Sequence, residues 1–102
     1  MVAVISDKLD ELKALCERFG VTKLELFGSA ATGEFDESRS DLDFLVEFRR
    51  SESMNAFHQY FGFQTALEDL YGRKVDLVEL ACVKNPYFLA EAKKQRELVY
   101  ES

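Results

Sequence analysis

The chain predicts an α+β fold (α/β-like) in which helices pack on a four-stranded sheet. Three observations carry that expectation. Short runs with strand alternation recur at 21–27, 41–48, 74–80 and 98–100. Stretches of helical periodicity, at 7–20, 54–71 and 86–95, lie between most of them. Gly20 and Gly72 close the first two helical stretches, and Asn85-Pro86 opens the third.

The first helix is expected to begin at Ser6, a good N-cap, with Asp7 and Asp10 at the positive end of the dipole. Leu9, Leu12, Leu15, Cys16 and Phe19 recur at helical spacing and form one core-facing stripe. Val21 to Phe27 reads as a strand, with Leu24 and Leu26 on one face and Lys23, Glu25 and Phe27 on the other. It stops at Gly28-Ser29. Glycine admits a close backbone approach, and Ser29 adds a hydroxyl and an N–H at the start of a short helical turn over 29–32. A strand, a glycine turn and a helix start together make a phosphate-accepting corner, although most such dipeptides are ordinary turns.

Residues 32–40 are a polar loop, and Asp41 to Phe48 follows as a second strand. Leu42, Phe44 and Val46 share one face, while Asp41, Asp43, Leu45 and Glu47 share the other. Carboxylates two residues apart on a strand lie on one face with Cα atoms roughly 6.6 Å apart. Oxygen donors so spaced suit the divalent cations of two-metal phosphoryl transfer. A solvated loop rich in Ser and Asp is the alternative reading. A calcium loop starting at Asp36 fails, because Asp41 stands where glycine is needed and 42–46 is too apolar.

A polar link, Arg49 to Ser53, leads to a helix over 54–71. Met54, Phe57, Phe61, Gln64, Leu67 and Tyr71 follow a helical period and are expected in the core. Tyr60 and Phe63 fall away from that stripe, as partner-facing aromatics or as partly buried ones. The third strand, Lys74 to Leu80, carries Asp76, poor core material in a strand centre. Asp76 is either a salt-bridged edge residue beside Arg73 or Lys74, or the third carboxylate of a cluster if its strand lies beside 41–48. The sequence leaves that pairing open. A helix from Asn85-Pro86 to about Gln95 and a short terminal strand at Leu98 to Tyr100 complete the chain.

At 102 residues, the chain is expected to form one domain, 1–102, around a single core. No apolar run approaches the ~20 residues of a membrane span, and no basic leader precedes the acidic, amphipathic N-terminus. A soluble cytoplasmic protein without a membrane partner is the expectation. The net charge of −6 argues against a polynucleotide partner and for divalent cations wherever a phosphorylated small molecule is handled. Cys16 and Cys82 read as buried free thiols, and His58 as a helix-surface or packing residue.

The segments LELFGSAATGEFDESRSDLDFLVEF and GRKVDLVELACVKNPYF resemble a minimal nucleotidyltransferase of the polymerase-beta superfamily. Gly-Ser after a strand, Asp-x-Asp about ten residues later and an acidic residue on a later strand carry that resemblance across nearly the whole chain. It implies the nucleotidyltransferase fold, with a mixed four-stranded sheet. Gly28 and Ser29 would bind the phosphates of ATP, Asp41 and Asp43 two Mg²⁺ ions, and Asp76 the catalytic metal and the acceptor hydroxyl. The resemblance further implies an antitoxin that transfers AMP to a HEPN-domain toxin. The alternatives are an antitoxin that acts by binding alone and a transferase for aminoglycoside-type small molecules. A homo-oligomer is compatible with each. This chain departs from the family pattern twice: Ala30-Ala31 replaces the usual basic residue after Gly-Ser, and the loop to Asp41 is one residue longer.

Overall fold

The computed structural model describes residues 3–27, 42–50, 52–79 and 97–102. Their order is α1 (Ala3–Ser6), α2 (Leu9–Arg18), β1 (Val21–Phe27), β2 (Leu42–Phe48), α3 (Ala56–Tyr71), β3 (Val75–Glu79) and β4 (Glu97–Glu101). The strands form one sheet in the order β3-β2-β1-β4. β1 runs antiparallel to β2 and β4, and β3 runs parallel to β2. The sheet is therefore mixed, as expected, and α3 is the crossover that a parallel pair requires. The expected helices at 29–32 and 86–95 and the second thiol, Cys82, lie outside the described residues.

The N-terminus departs from expectation. Ser6 ends α1 instead of capping α2, and Lys8 occupies the N-cap with no side-chain capping bond. Ile5, just before this break, is fully buried in the core. Burying an isoleucine stabilises by roughly 1.5–3 kcal/mol, against roughly 1 kcal/mol for a serine cap. Burial wins. Leu12 and Cys16 of α2 and Phe19 just past its end are buried, while Leu9 and Leu15 pack partly buried against the same core.

Asn55 caps α3 by accepting from the His58 N–H at 2.8 Å, and Gly72 ends it in the left-handed region at φ 63°. The buried face of α3 is Gln59, Phe63, Leu67 and Tyr71. The expected core positions Phe57 and Phe61 are instead 72% and 47% exposed, and Phe63, thought to fall away from the core, is fully buried. Apolar residues surround most of this helix, so more than one stripe at helical spacing was available. Neighbours chose between them: the Phe63 ring lies 5.8 Å from Phe19 and 5.9 Å, edge-on, from Phe48. His58 is exposed, as expected, and Cys16 is a buried free thiol.

Val21, Leu24, Leu26, Leu42, Phe44, Val46, Val75, Leu77 and Val99 form the sheet's contribution to the core beneath the helices. Alternation sends Glu25, Asp43, Leu45 and Asp76 to the opposite face. At the end of the sheet where β2 leaves, the buried Gln59 amide donates to the carbonyls of Phe19 and Arg49, each at 2.8 Å. Its oxygen accepts from Arg50 at 3.0 Å, and Arg50 also pairs with Glu79. One side chain thus joins the α2–β1 turn, the exit of β2 and, through Arg50, the end of β3.

Candidate active site

Opposite that network, β1 ends where β2 and β3 begin. Antiparallel pairing sets Phe27, the last residue of β1, against Asp43. Parallel pairing sets Asp43 against Asp76. Register partners on neighbouring strands share a face, about 4.8 Å apart. Asp43 and Asp76 therefore lie side by side on the face away from the core, next to the point where β1 gives way to Gly28. Asp43 is half-buried and Asp76 exposed. The pairing left open by the sequence is thereby resolved.

The alternative of Asp76 as a salt-bridged edge residue finds no support. Among the described residues the ion pairs are Lys23–Glu25 at 3.4 Å and Arg50–Glu79 at 2.5 Å. Two carboxylates in register repel each other, and a hard divalent cation, which prefers oxygen ligands, relieves that repulsion. The donors present thus fit a magnesium-type ion. Gly28, Ser29 and Asp41 lie outside the described residues, and no group of three His, Cys, Asp or Glu side chains forms among the described ones.

One further charged residue on this face is buried. Glu25 is only 4% exposed, is the register partner of Leu45, and is ion-paired with Lys23. A carboxylate at an alternate strand position normally reads as solvent-facing, so nothing local signals its burial. Among the described residues the strongly shifted groups lie elsewhere, in the helix layer. Burial, with a smaller contribution from the Glu17 charge, pushes the Cys16 thiol up to about 12. Burial and the neighbouring Cys16 and Glu11 push the Tyr71 hydroxyl above its ordinary range.

The nucleotidyltransferase domain model matches residues 11–99, spanning the Gly-Ser pair and all three aspartates. The chain belongs to the nucleotidyltransferase domain family. Protein adenylyltransferase MntA of Thermococcus cleftensis is 41% identical over 73 residues, covering 72% of this chain and 70% of the relative. A Methanocaldococcus jannaschii protein, MJ0128, named as a candidate protein adenylyltransferase, is 38% identical over 88 residues, covering 86% of this chain and 84% of its own. Among solved structures, a candidate minimal nucleotidyltransferase superposes with a TM-score of 0.75 at 29% identity, covering 91% of this chain and 90% of that one. The MNT antitoxin family fold also appears in a complex with the tri-AMPylated HEPN toxin of Shewanella oneidensis. That match has a TM-score of 0.67 at 15% identity and covers 95% of this chain and 72% of that one. At such identity the likeness is one of fold. This nucleotidyltransferase domain thus has the mixed four-stranded sheet and packed helices of the minimal members of its family.

Proposed function

We propose that this nucleotidyltransferase moves AMP from ATP to a hydroxyl of a HEPN-domain partner protein, acting in the cytoplasm as the antitoxin of a toxin–antitoxin pair. The observation that carries the reading is the registered pair Asp43 and Asp76 beside the end of β1. In this reading Gly28 and Ser29 hold the triphosphate, Asp41 and Asp43 hold two Mg²⁺ ions, and Asp76 completes the metal site. Bound there, divalent ions supply neutralisation of the triphosphate and of charge developing on the attacking and leaving oxygens. The residues orient an in-line displacement. The acceptor oxygen forms a bond to the α-phosphorus, the bond to the bridging oxygen breaks, and pyrophosphate departs. In this reading Asp76 takes or orients the acceptor proton. No protein nucleophile is required, in keeping with the buried, protonated state of Cys16.

Incubation with α-labelled ATP, Mg²⁺ and the HEPN-domain partner tests the reading. The partner should become labelled, and Asp43→Asn should abolish the label. Label that persists in the variant would overturn the proposed site. A second reading, neutralisation by binding alone, draws on the exposed Phe57 and Phe61 and on Ala30-Ala31 in place of a cation. It predicts full neutralisation of the partner by the Asp43→Asn protein.

A further inference from the structure

β3 is an edge strand of the four-stranded sheet, with β2 on one side. The Leu42 N–H donates to the Lys74 carbonyl at 3.2 Å, which starts the ladder between β2 and β3. In a parallel ladder each strand alternates which residues point their polar backbone groups at the partner. Val75 and Leu77 consequently turn theirs outward, on either side of Asp76 in the chain. Outward-facing edge groups of this kind ordinarily go to solvent or to another strand.

Here they go to side chains of α3. The Tyr60 hydroxyl donates to the Leu77 carbonyl. The Gln64 amide donates to the Val75 carbonyl at 3.0 Å, and a Glu68 carboxylate oxygen accepts from the Val75 N–H at 3.1 Å. Tyr60, Gln64 and Glu68 stand at four-residue intervals and so run in one line along the helix. Four residues of helix advance about 6 Å, and two residues of strand about 6.6 Å. The steps match. Tyr60 and Gln64 therefore meet two successive outward carbonyls of β3, and a slip by one residue would break every contact.

We propose that Tyr60, Gln64 and Glu68 form a clasp that holds β3 in register and so sets Asp76 beside Asp43. They are positioning residues, acting on the site through the β3 backbone. The need for them follows from the edge. A one-residue slip of β3 would turn Asp76 to the core face, and the described contacts to the outward backbone groups of Val75 and Leu77 come from this clasp. This inference rests on the reading of Asp43 and Asp76 as metal-binding.

The test compares Glu68→Ala, Gln64→Ala and the conservative Glu68→Gln, whose amide oxygen can still accept from Val75. Ile5→Val serves as a mildly destabilised control in the core, remote from the clasp. Affinity for Mn²⁺, followed by its paramagnetic effect on water relaxation, is measured with AMP transfer and amide exchange at Asp76 and Val78. The alanine variants should bind Mn²⁺ on the order of tenfold more weakly, the scale of lost ligand-orienting contacts. Exchange at the two amides should quicken, and Glu68→Gln should restore most of the affinity. Ile5→Val should bind as the parent does. If the parent binds Mn²⁺ and the alanine variants bind it equally well, the clasp does not position the site. Equal weakening in Ile5→Val would reduce the effect to general stability and overturn the inference as well. Absence of Mn²⁺ binding in the parent itself would instead overturn the underlying reading of the site.

Discussion

Asp43 on β2 and Asp76 on β3 are register partners in the parallel pair, so two carboxylates share one face at one strand spacing. Like charges across neighbouring strands destabilise by roughly 0.2–1 kcal/mol, and a bound divalent cation reverses the sign of that interaction. Thermal denaturation with and without Mg²⁺ reads both effects. In chelator, Asp43→Asn should be more stable than the parent by several tenths of a kcal/mol. In millimolar Mg²⁺, the parent's Tm should rise and the variant's should not. An equal rise in both proteins would place the cation elsewhere.

Gln59 is buried and ties two backbone segments through its amide, with bonds of 2.8 Å to the carbonyls of Phe19 and Arg49. Replacing it by leucine keeps the volume but strands two carbonyls, while the half-exposed Arg50 keeps Glu79 as partner. Each buried group left unsatisfied costs about 1–3 kcal/mol. Gln59→Leu should lower stability by about 2–4 kcal/mol in urea unfolding, on that scale. It sits at the far end of the sheet from Asp43, so metal affinity of the folded variant should remain that of the parent.

Gly62 lies inside α3, where alanine would ordinarily gain about 1 kcal/mol in helix propensity. A Cβ at this position would meet Phe19 Cε1 at 2.8 Å. The Phe19 ring is only 5% exposed and lies 5.8 Å from Phe63, so it has little room to retreat. Overpacking costs about 1–3 kcal/mol. Gly62→Ala should therefore be neutral to destabilising by up to about 2 kcal/mol on these scales. A gain in stability would show that the ring moves aside freely.

The pH dependence at the alkaline end follows from two buried groups. Burial raises the Cys16 thiol from 9.0 to about 12 and also raises the Tyr71 hydroxyl from 10.0. In each case the folded state holds its proton more tightly than the unfolded chain. Their contributions are fully present below the unfolded values and are lost as pH rises towards the folded ones. Stability should fall from about pH 9, by up to about 1.4 kcal/mol per pH unit for each group, over the window these shifts define. Tyr71→Phe should flatten the fall above pH 10. At neutral pH it should cost little or stabilise, because the Tyr71 hydroxyl is buried with no hydrogen-bond partner among the described residues. Denaturant midpoints from pH 7 to 11 check both statements.

The strands, their faces and the ends of two helices at Gly20 and Gly72 were legible because each is written in local chemistry. Leu24 and Leu26 alternate with Lys23, Glu25 and Phe27, and Gly20 and Gly72 stop two helices. The Asp-x-Asp spacing marked a candidate site because carboxylates at the head of an apolar strand are costly without a partner. Other features lay beyond local reach. The face of α3 depended on Phe19 and Phe48, which sequence separation hides, and Ile5 broke the first helix for the sake of burial in the core. Above all, strand pairing is a long-range choice among several registers that local pattern leaves open. By itself the sequence determined which residues carry charge and which way each strand faces. Only the tertiary structure decided that β3 lies parallel to β2, with Asp76 beside Asp43 and Tyr60, Gln64 and Glu68 along its outer edge. Side-chain alternation is a property of one strand, whereas register is a property of two strands and the helix that joins them.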